Sequence, residues 1–141
     1  MMTDADEMLV MCVPPEEVYK VWKGAVHDMV DSGFAAFDVP MPDDILQQLK
    51  YGTRLLWIAV DASSHIHAAL LTQLFEMRSG KVCKVLECGG YKMKTWVHLR
   101  TKIEDYAKAE GCGRVIVEGR AGWARMLPDY RMIGVTLEKA I

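Results

Sequence analysis

The chain has 141 residues, of which 51% are apolar and 26% are charged, and its formal net charge is −2. This length fits one domain with a sizeable core, and the composition is typical of a globular protein, which excludes a largely disordered chain. A net charge so close to zero supplies no broad basic surface for phosphates, so we expect no nucleic-acid partner.

The sequence carries no signal for a membrane or a metal. No apolar run approaches the roughly 20 residues that cross a bilayer, and the acidic N-terminus, Met1 to Glu7, leads into no signal peptide. Four cysteines, Cys12, Cys83, Cys88 and Cys112, form no CxxC motif and have no histidine at a zinc-ligand interval. We therefore expect a soluble, cytoplasmic protein with reduced cysteines and no membrane partner.

Two helices are predicted in the first third of the chain. The run Pro14 to Glu17 begins the first, because proline fits the first turn and carboxylates favour the positive end of the helix dipole. Apolar residues then recur at steps of three and four until Asp31-Ser32-Gly33. The second helix begins at Asp43-Asp44 and ends at Gly52.

Three strands are predicted in the middle of the chain, at Arg54 to Val60, Ile66 to Met77 and Lys81 to Cys88. The turns between them, at residues 61–64 and 78–80, are short, so the strands form antiparallel hairpins. The first strand is almost wholly apolar, which is typical of a central strand covered on both faces.

The last third of the chain contains a strand–helix–strand unit. Its predicted elements are, in order, a loop at Gly89 to Lys94, an amphipathic helix from near Thr95 to Gly111, a strand at Arg114 to Glu118, a short helix within Gly119 to Pro128 and a strand at Arg131 to Leu137. A long helix between two strands predicts a parallel, right-handed βαβ unit. No linker or repeat divides the chain, so residues 1–141 are expected to form a single domain.

This order of elements resembles the fold of the GCN5-related N-acetyltransferases (GNAT), an α/β (α+β) fold with a mixed sheet and helices on both faces. The resemblance is tightest from Lys81 to Leu137. The closing stretch, Gly119 to Tyr130, also resembles small GNAT-like proteins of tailed bacteriophages and prophages. The first resemblance implies transfer of an acyl group from acetyl-CoA to an amine, and the second allows a virion protein.

The resemblance to GNAT proteins implies a binding site for acetyl-CoA where the third strand leads into the long helix. The pantetheine arm would pair with the strand, and the pyrophosphate would lie on the helix N-terminus. The residues placed there are Leu86, Cys88, Gly89, Gly90, Lys92, Lys94 and Thr95. The usual glycines of the family's loop are replaced here by Lys92 and Lys94. Either these lysines add charge for the phosphates, or Gly89-Gly90 is a plain bend and the lysines are solvated.

Three residues are candidates for acid and base catalysis. Glu87 and Glu118, each at the end of a strand, are candidate bases, and for each the alternative is a solvated residue paired with lysine. Aligned with the family pattern, Arg125 occupies the position of the usual tyrosine acid, and a guanidinium cannot act as an acid at neutral pH. Tyr130 can take the position of the acid only if its alignment with the family pattern is shifted by several residues. Otherwise its role is to pack in the fold. His65 and His67 are interpreted as surface residues.

Three functions remain open from the sequence. The first is an acetyl-CoA-dependent N-acyltransferase whose acceptor, a small-molecule or protein amine, is unknown. The second is a catalytically silent phage structural, virion or interaction protein that binds other phage proteins, in the host cytoplasm or the virion. The third is a regulatory domain that binds acyl-CoA without reacting, because a fold alone does not determine function. The oligomeric state is unknown at this stage.

Overall fold

A computed structural model describes residues 8–22, 42–90, 100–118, 123–135 and 137–141. For residues 42–44, 87–90 and 123 it describes the backbone alone. The strands are β1 Leu9–Val13, β2 Leu55–Val60, β3 Ile66–Met77, β4 Gly80–Gly90 and β5 Arg114–Val117. A 3-10 turn at Pro15–Glu17 leads into helix α1, Val18–Val21, and the other helices are α2 Pro42–Tyr51, α3 Thr101–Ala109 and α4 Trp123–Met126.

The five strands form one mixed sheet in chain order, β1-β2-β3-β4-β5. The first four are antiparallel, and β5 lies parallel to β4. The predicted hairpins and the parallel βαβ pair are therefore confirmed. Strand β1 was not predicted; it pairs with β2 from Leu9, opposite Val60, to Val13, opposite Leu56. Its pairing makes β2 an internal strand, as its apolar sequence requires.

Helices pack on both faces of the sheet, as predicted. On the first face, α1 and α2 cover a core cluster that includes Val18, Ile45, Leu56 and Leu71. On the second face, α3 covers a cluster around Cys83, Val85, Ile103 and Ala107. The three- and four-residue spacing of Ile103, Tyr106 and Ala107 puts them on one side of α3, which is why that side meets the sheet.

Some predicted boundaries differ from the structure. The predicted strand at 131–137 is absent from residues 131–135 and 137, which form neither strand nor helix. Strand β5 is only partly buried, because it lies at an edge of the sheet. The predicted start of the long helix near Thr95 and the later part of the first helix lie outside the described residues. In the described ranges, no helix is long and apolar enough to cross a membrane.

Candidate functional site

The central feature of the site is strand β4, which stays paired with β3 to its end but stops pairing with β5 before it. Strand β4 pairs with β5 from Val82 to Val85, and the N–H of Glu118 donates a last hydrogen bond of 3.0 Å to the Val85 carbonyl. On its other side, β4 stays paired with β3 as far as Gly90, opposite Ala68. Among the described residues, β4 therefore has an open side from 86 to 90, where its backbone can accept another extended chain.

A β-bulge lies where this open side begins. Leu71 of β3 pairs with Glu87, but the next residue, Thr72, pairs with Val85, so Leu86 is the extra residue on β4. A bulge bends its strand, increases the local twist and leaves the extra residue outside the regular ladder. It therefore helps to explain why β4 and β5 separate beyond Val85.

Gly89 and Gly90 belong to the strand, and the predicted loop that began at Gly89 is wrong at these two residues. They pair with Ala69 and Ala68 of β3, in the last two steps of the ladder. Leu86 and Cys88 also lie on the open stretch, with Cys88 paired with Leu70. The other predicted coenzyme-binding residues, Lys92, Lys94 and Thr95, lie outside the described residues.

The two candidate bases lie on either side of the point where β4 and β5 separate. Glu87 follows the bulge, and its backbone pairs with Leu71, whose side chain is buried in the first-face cluster. Glu118 follows β5 and is half-exposed; Lys84 Nζ donates a 2.9 Å hydrogen bond to its Oε1. The ammonium of Lys84 also lies 5.1 Å from the centroid of the Phe75 ring. Glu118 is thus paired with a lysine, as its alternative interpretation expected.

Tyr130, the third candidate, contacts helix α3. Its hydroxyl donates a 2.6 Å hydrogen bond to Glu104 Oε2, and Arg100 Nε donates to the same oxygen at 3.3 Å. Arg100 also donates to Asp129 Oδ1 at 2.7 Å, and its guanidinium lies 5.9 Å from the centre of the Tyr130 ring. Burial, and then the bond to Glu104, raise the pKa of Tyr130 above its usual value. A phenol that holds its proton this tightly is a poor match for protonating a thiolate.

We expect Tyr130→Phe to destabilise the protein more than it slows any reaction. Removing the hydroxyl leaves Glu104 without this donor, and the free energy of unfolding should fall by about 1 kcal/mol. Urea unfolding of Tyr130→Phe, Glu104→Gln and the double variant measures it, because the two losses should not add if the side chains act through one bond. Additive losses would contradict this assignment.

A second polar cluster, which sequence reasoning missed, closes the turn between β2 and β3. His67 Nε2 lies 2.7 Å from Asp61 Oδ2, and Asp61 Oδ1 accepts the backbone N–H groups of Ser63 at 2.9 Å and His65 at 3.0 Å. His65 is at the surface as predicted, with a side chain 78% exposed, but that of His67 is only 20% exposed. His67 is also the extra residue of a second bulge, between β3 and β2. An aspartate that begins a turn followed by small residues is the sequence signal for such side chain-to-backbone bonds.

This cluster predicts a specific loss of stability in acid. The hydrogen bond with His67, followed by those from the backbone of His65 and Ser63, lowers the pKa of Asp61 from 3.8 to about 2. A carboxylate with a lowered pKa stabilises the fold fully above its unfolded pKa, and this contribution is lost as the pH falls through its folded pKa. Asp61→Asn should therefore unfold at a lower urea concentration than the parent at pH 7. This gap between the two urea midpoints should disappear as the pH falls from about 4 to about 2. A gap that stays constant over this range would contradict the assignment.

The described residues hold no group of three or more His, Cys, Asp or Glu side chains placed to bind a metal ion. Cys12, Cys83 and Cys112 are free. Burial raises the pKa of Cys12, and burial together with the neighbouring Cys112 raises that of Cys83 to about 11. Thiols in this state are poor nucleophiles, so neither cysteine is a candidate for covalent catalysis.

Solved structures of acetyltransferases share this fold. An aminoglycoside acetyltransferase, meta-AAC0020, from an uncultured soil metagenomic sample, in complex with sisomicin, superposes with a TM-score of 0.71 at 12% identity, covering 99% of each chain. A predicted acetyltransferase with acetyl-CoA from Clostridium acetobutylicum gives 0.64 at 10% identity, covering 94% of this chain and 96% of that one. The aminoglycoside antibiotic 6'-N-acetyltransferase AAC(6')-Ih from Acinetobacter baumannii gives 0.61 at 13% identity, covering 95% and 99%.

These likenesses confirm the α/β fold that the element order predicts. At such low identity they concern the fold alone. No protein-family model matches the chain, and the search of curated proteins found no match. These likenesses do not bear on a phage origin, so the resemblance of residues 119–130 to phage proteins stays a prediction.

Proposed function

On this acetyltransferase fold, we propose that the chain transfers an acetyl group from acetyl-CoA to an amine. The observation that supports it most is the open side of β4 at residues 86–90, bounded by the bulge at Leu86. The pantetheine arm of the coenzyme is an extended chain with two amide groups. It can therefore pair with a free strand edge as a further strand would.

The residues that line the open side of β4 also suit the coenzyme. Gly89 and Gly90 have no side chain to hold a ligand away from the strand. Lys92 and Lys94, just beyond the strand, are proposed to face the phosphates, with the N-terminus of the long helix supplying N–H groups. Leu86 and Cys88 are proposed to contact the arm through their backbone, and Thr95 is proposed to cap the helix or donate to a phosphate oxygen.

The chemical step needs only a positioned amine, an oxyanion donor and a proton acceptor. The neutral amine attacks the thioester carbon, a C–N bond forms, the C–S bond breaks, and the thiolate leaves with the electron pair of that bond. A backbone N–H of β4 near the bulge would donate to the thioester oxygen as negative charge develops. Glu87, directly or through water, would take the proton lost by the amine. No covalent intermediate with the protein is required.

The acceptor is proposed to be a small molecule with a primary amine. This rests on the neighbours meta-AAC0020, solved with sisomicin, and AAC(6')-Ih, an aminoglycoside 6'-N-acetyltransferase. The likeness extends to the fold alone, so the acceptor has to be tested directly. Aminoglycosides form the first panel because of these two neighbours. Simple polyamines and lysine peptides form the second panel, since a protein amine is the other class of acceptor.

Calorimetric titration with acetyl-CoA and desulfo-CoA tests whether the coenzyme binds. We expect a dissociation constant on the order of micromolar for both, because the arm and phosphates supply the contacts. Lys92→Ala and Lys94→Ala should each weaken binding about tenfold, as expected for loss of one charge-assisted contact. Lys108→Ala, on the exposed side of α3, is the matched control and should bind normally. No heat at millimolar ligand would reject the proposal.

Turnover over the amine panels, followed by release of the free thiol, separates the enzyme from a domain that only binds acyl-CoA. Product formation with any amine supports the proposal. Tight binding without product for either panel would instead support the regulatory alternative.

A further inference from the structure

A lysine amine lies beside the point where β4 and β5 separate. Lys84 Nζ donates its 2.9 Å hydrogen bond to Oε1 of Glu118, the first residue after β5. The backbone N–H of Glu118 in turn donates to the carbonyl of Val85, where the ladder between the two strands ends. The amine and its carboxylate partner therefore lie at the start of the open side of β4.

The side chain of Lys84 is held in place on the first face of the sheet. Its neighbour Cys83 is fully buried in the second-face cluster, so alternation along β4 puts Lys84 on the opposite face. There its ammonium lies between the carboxylate of Glu118 and the ring of Phe75, and its side chain is 21% exposed. The amine is thus positioned by two neighbours while part of the side chain stays accessible.

The bulge at Leu86 is within reach of this amine. Leu86 is the second residue after Lys84, which corresponds to roughly 7 Å of extended strand. The flexible four-carbon stem of a lysine spans a similar length. The proposed function puts the thioester oxygen near this bulge, so the amine of Lys84 can meet the acetyl group of a bound coenzyme without a change in the sheet.

We propose that Lys84 is an acetylation site, modified by acetyl-CoA bound to the same chain. This inference rests on the proposed function, because the donor is the coenzyme on β4. Lys84 Nζ gives one proton to Glu118, and the neutral amine attacks the thioester carbon. A C–N bond forms, the C–S bond breaks, and the thiolate leaves with the electron pair of that bond. The second proton of the nitrogen passes through solvent to the thiolate, so the products are acetyl-lysine, CoA and the proton on Glu118.

Glu118 meets the geometric requirement for the base in this step. A general base must lie within about 2.6–3.2 Å of the group that loses the proton, and the bond between Lys84 and Glu118 is 2.9 Å long. Glu118 would thus serve the chain's own lysine, while Glu87 is proposed to serve an external amine. The two carboxylates can therefore be tested separately.

A second lysine pair in the chain provides a matched control. Lys20 Nζ lies 2.8 Å from Oε2 of Glu17, and their side chains are 57% and 45% exposed. Lys20 belongs to helix α1 and Glu17 to the turn before it, and neither lies where β4 and β5 separate. Thioesters also acetylate exposed lysines without catalysis, so chemical reaction alone would favour Lys20 over the less exposed Lys84.

Mass spectrometry of the full chain incubated with acetyl-CoA, with peptide mapping over time, tests the proposal. We expect acetylation of Lys84 to be more than about tenfold faster than that of Lys20, because the donor is held beside it. The rate at Lys84 should level off with rising acetyl-CoA and fall when desulfo-CoA is added. Similar rates at the two lysines, or a rate at Lys84 that desulfo-CoA does not lower, would overturn the proposal.

Two further measurements test the reaction within one chain and the role of Glu118. The rate constant should not depend on protein concentration, since donor and acceptor lie on the same chain. Glu118→Gln, with its fold checked by circular dichroism, should slow acetylation of Lys84 about 100-fold and leave that of Lys20 unchanged. A rate constant that rises with protein concentration, or an unchanged rate in Glu118→Gln, would overturn the proposed step.

The failure of this inference differs from the failure of the proposed function. Calorimetric binding of desulfo-CoA, together with a Lys84 that stays unmodified in acetyl-CoA, would overturn the inference alone. No binding of the coenzyme would reject both.

Discussion

Glu87→Gln is expected to lower kcat about 100-fold while leaving the affinity for acetyl-CoA unchanged. The substitution keeps the size of the side chain and removes its capacity to accept a proton. Because the proposed coenzyme contacts are made by the β4 backbone and the lysines beyond it, binding should not change. Kinetics with the best amine of the panels and calorimetry with desulfo-CoA measure the two effects separately.

Glu118→Gln is the informative comparison. Glu118 is half-exposed and bonded to Lys84, so its variant should keep most of the activity. A larger loss for Glu118→Gln than for Glu87→Gln would assign the base to the end of β5. Equal and small losses would leave water as the proton acceptor.

Leu71→Ala is expected to lower the free energy of unfolding by about 3 kcal/mol. Leu71 is fully buried in the first-face cluster, and its backbone pairs with Glu87 beside the bulge. Truncation leaves a cavity among packed side chains, and the cost exceeds the transfer term alone. Urea unfolding, with a slope that stays constant, is the measurement.

Leu9→Ala provides the control for Leu71→Ala, since the change in chemistry is the same. Leu9 lies on the edge strand β1 and is about half exposed, so the loss should stay below about 1 kcal/mol. Similar losses at the two sites would contradict the burial on which the core assignment depends.

The parts of the fold that depend on neighbouring residues were predictable from the sequence. The turns at residues 61–64 and 78–80 contain small and polar residues between apolar runs, so both hairpins were expected and both are present. Gly52 and Gly111 have positive φ angles of 77° and 81°, which explains why each ends its helix. In these places local chemistry and the final structure agree.

The differences arise where pairing between distant residues decides the outcome. Strand β1 has no turn signal of its own and forms because Leu9 meets Val60, far along the chain. Gly89 and Gly90 have low strand propensity and suggested a loop, yet pairing with Ala69 and Ala68 keeps them in β4. Residues 131–137 show the converse, because their alternation predicts a strand, yet the described residues of this stretch form none.

The candidate site was predictable in outline but not in its contacts. The open stretch of β4 lies where the resemblance placed the coenzyme. The partners of Glu118 and Tyr130, which are Lys84 and Glu104, are 34 and 26 residues away in the chain. No local pattern signals such pairs. The bond between Asp61 and His67 spans only six residues, but it depends on the bulge where β3 pairs with β2, which the sequence does not signal.

Amide hydrogen exchange of the full chain, measured by NMR with and without desulfo-CoA, tests most directly whether the free edge of β4 receives the coenzyme. Ligand should slow exchange at amides of residues 86–90 that β3 does not already hold, and should leave residues 82–85, paired on both sides, unchanged. Saturating ligand with no added protection anywhere in 86–90 would contradict the account.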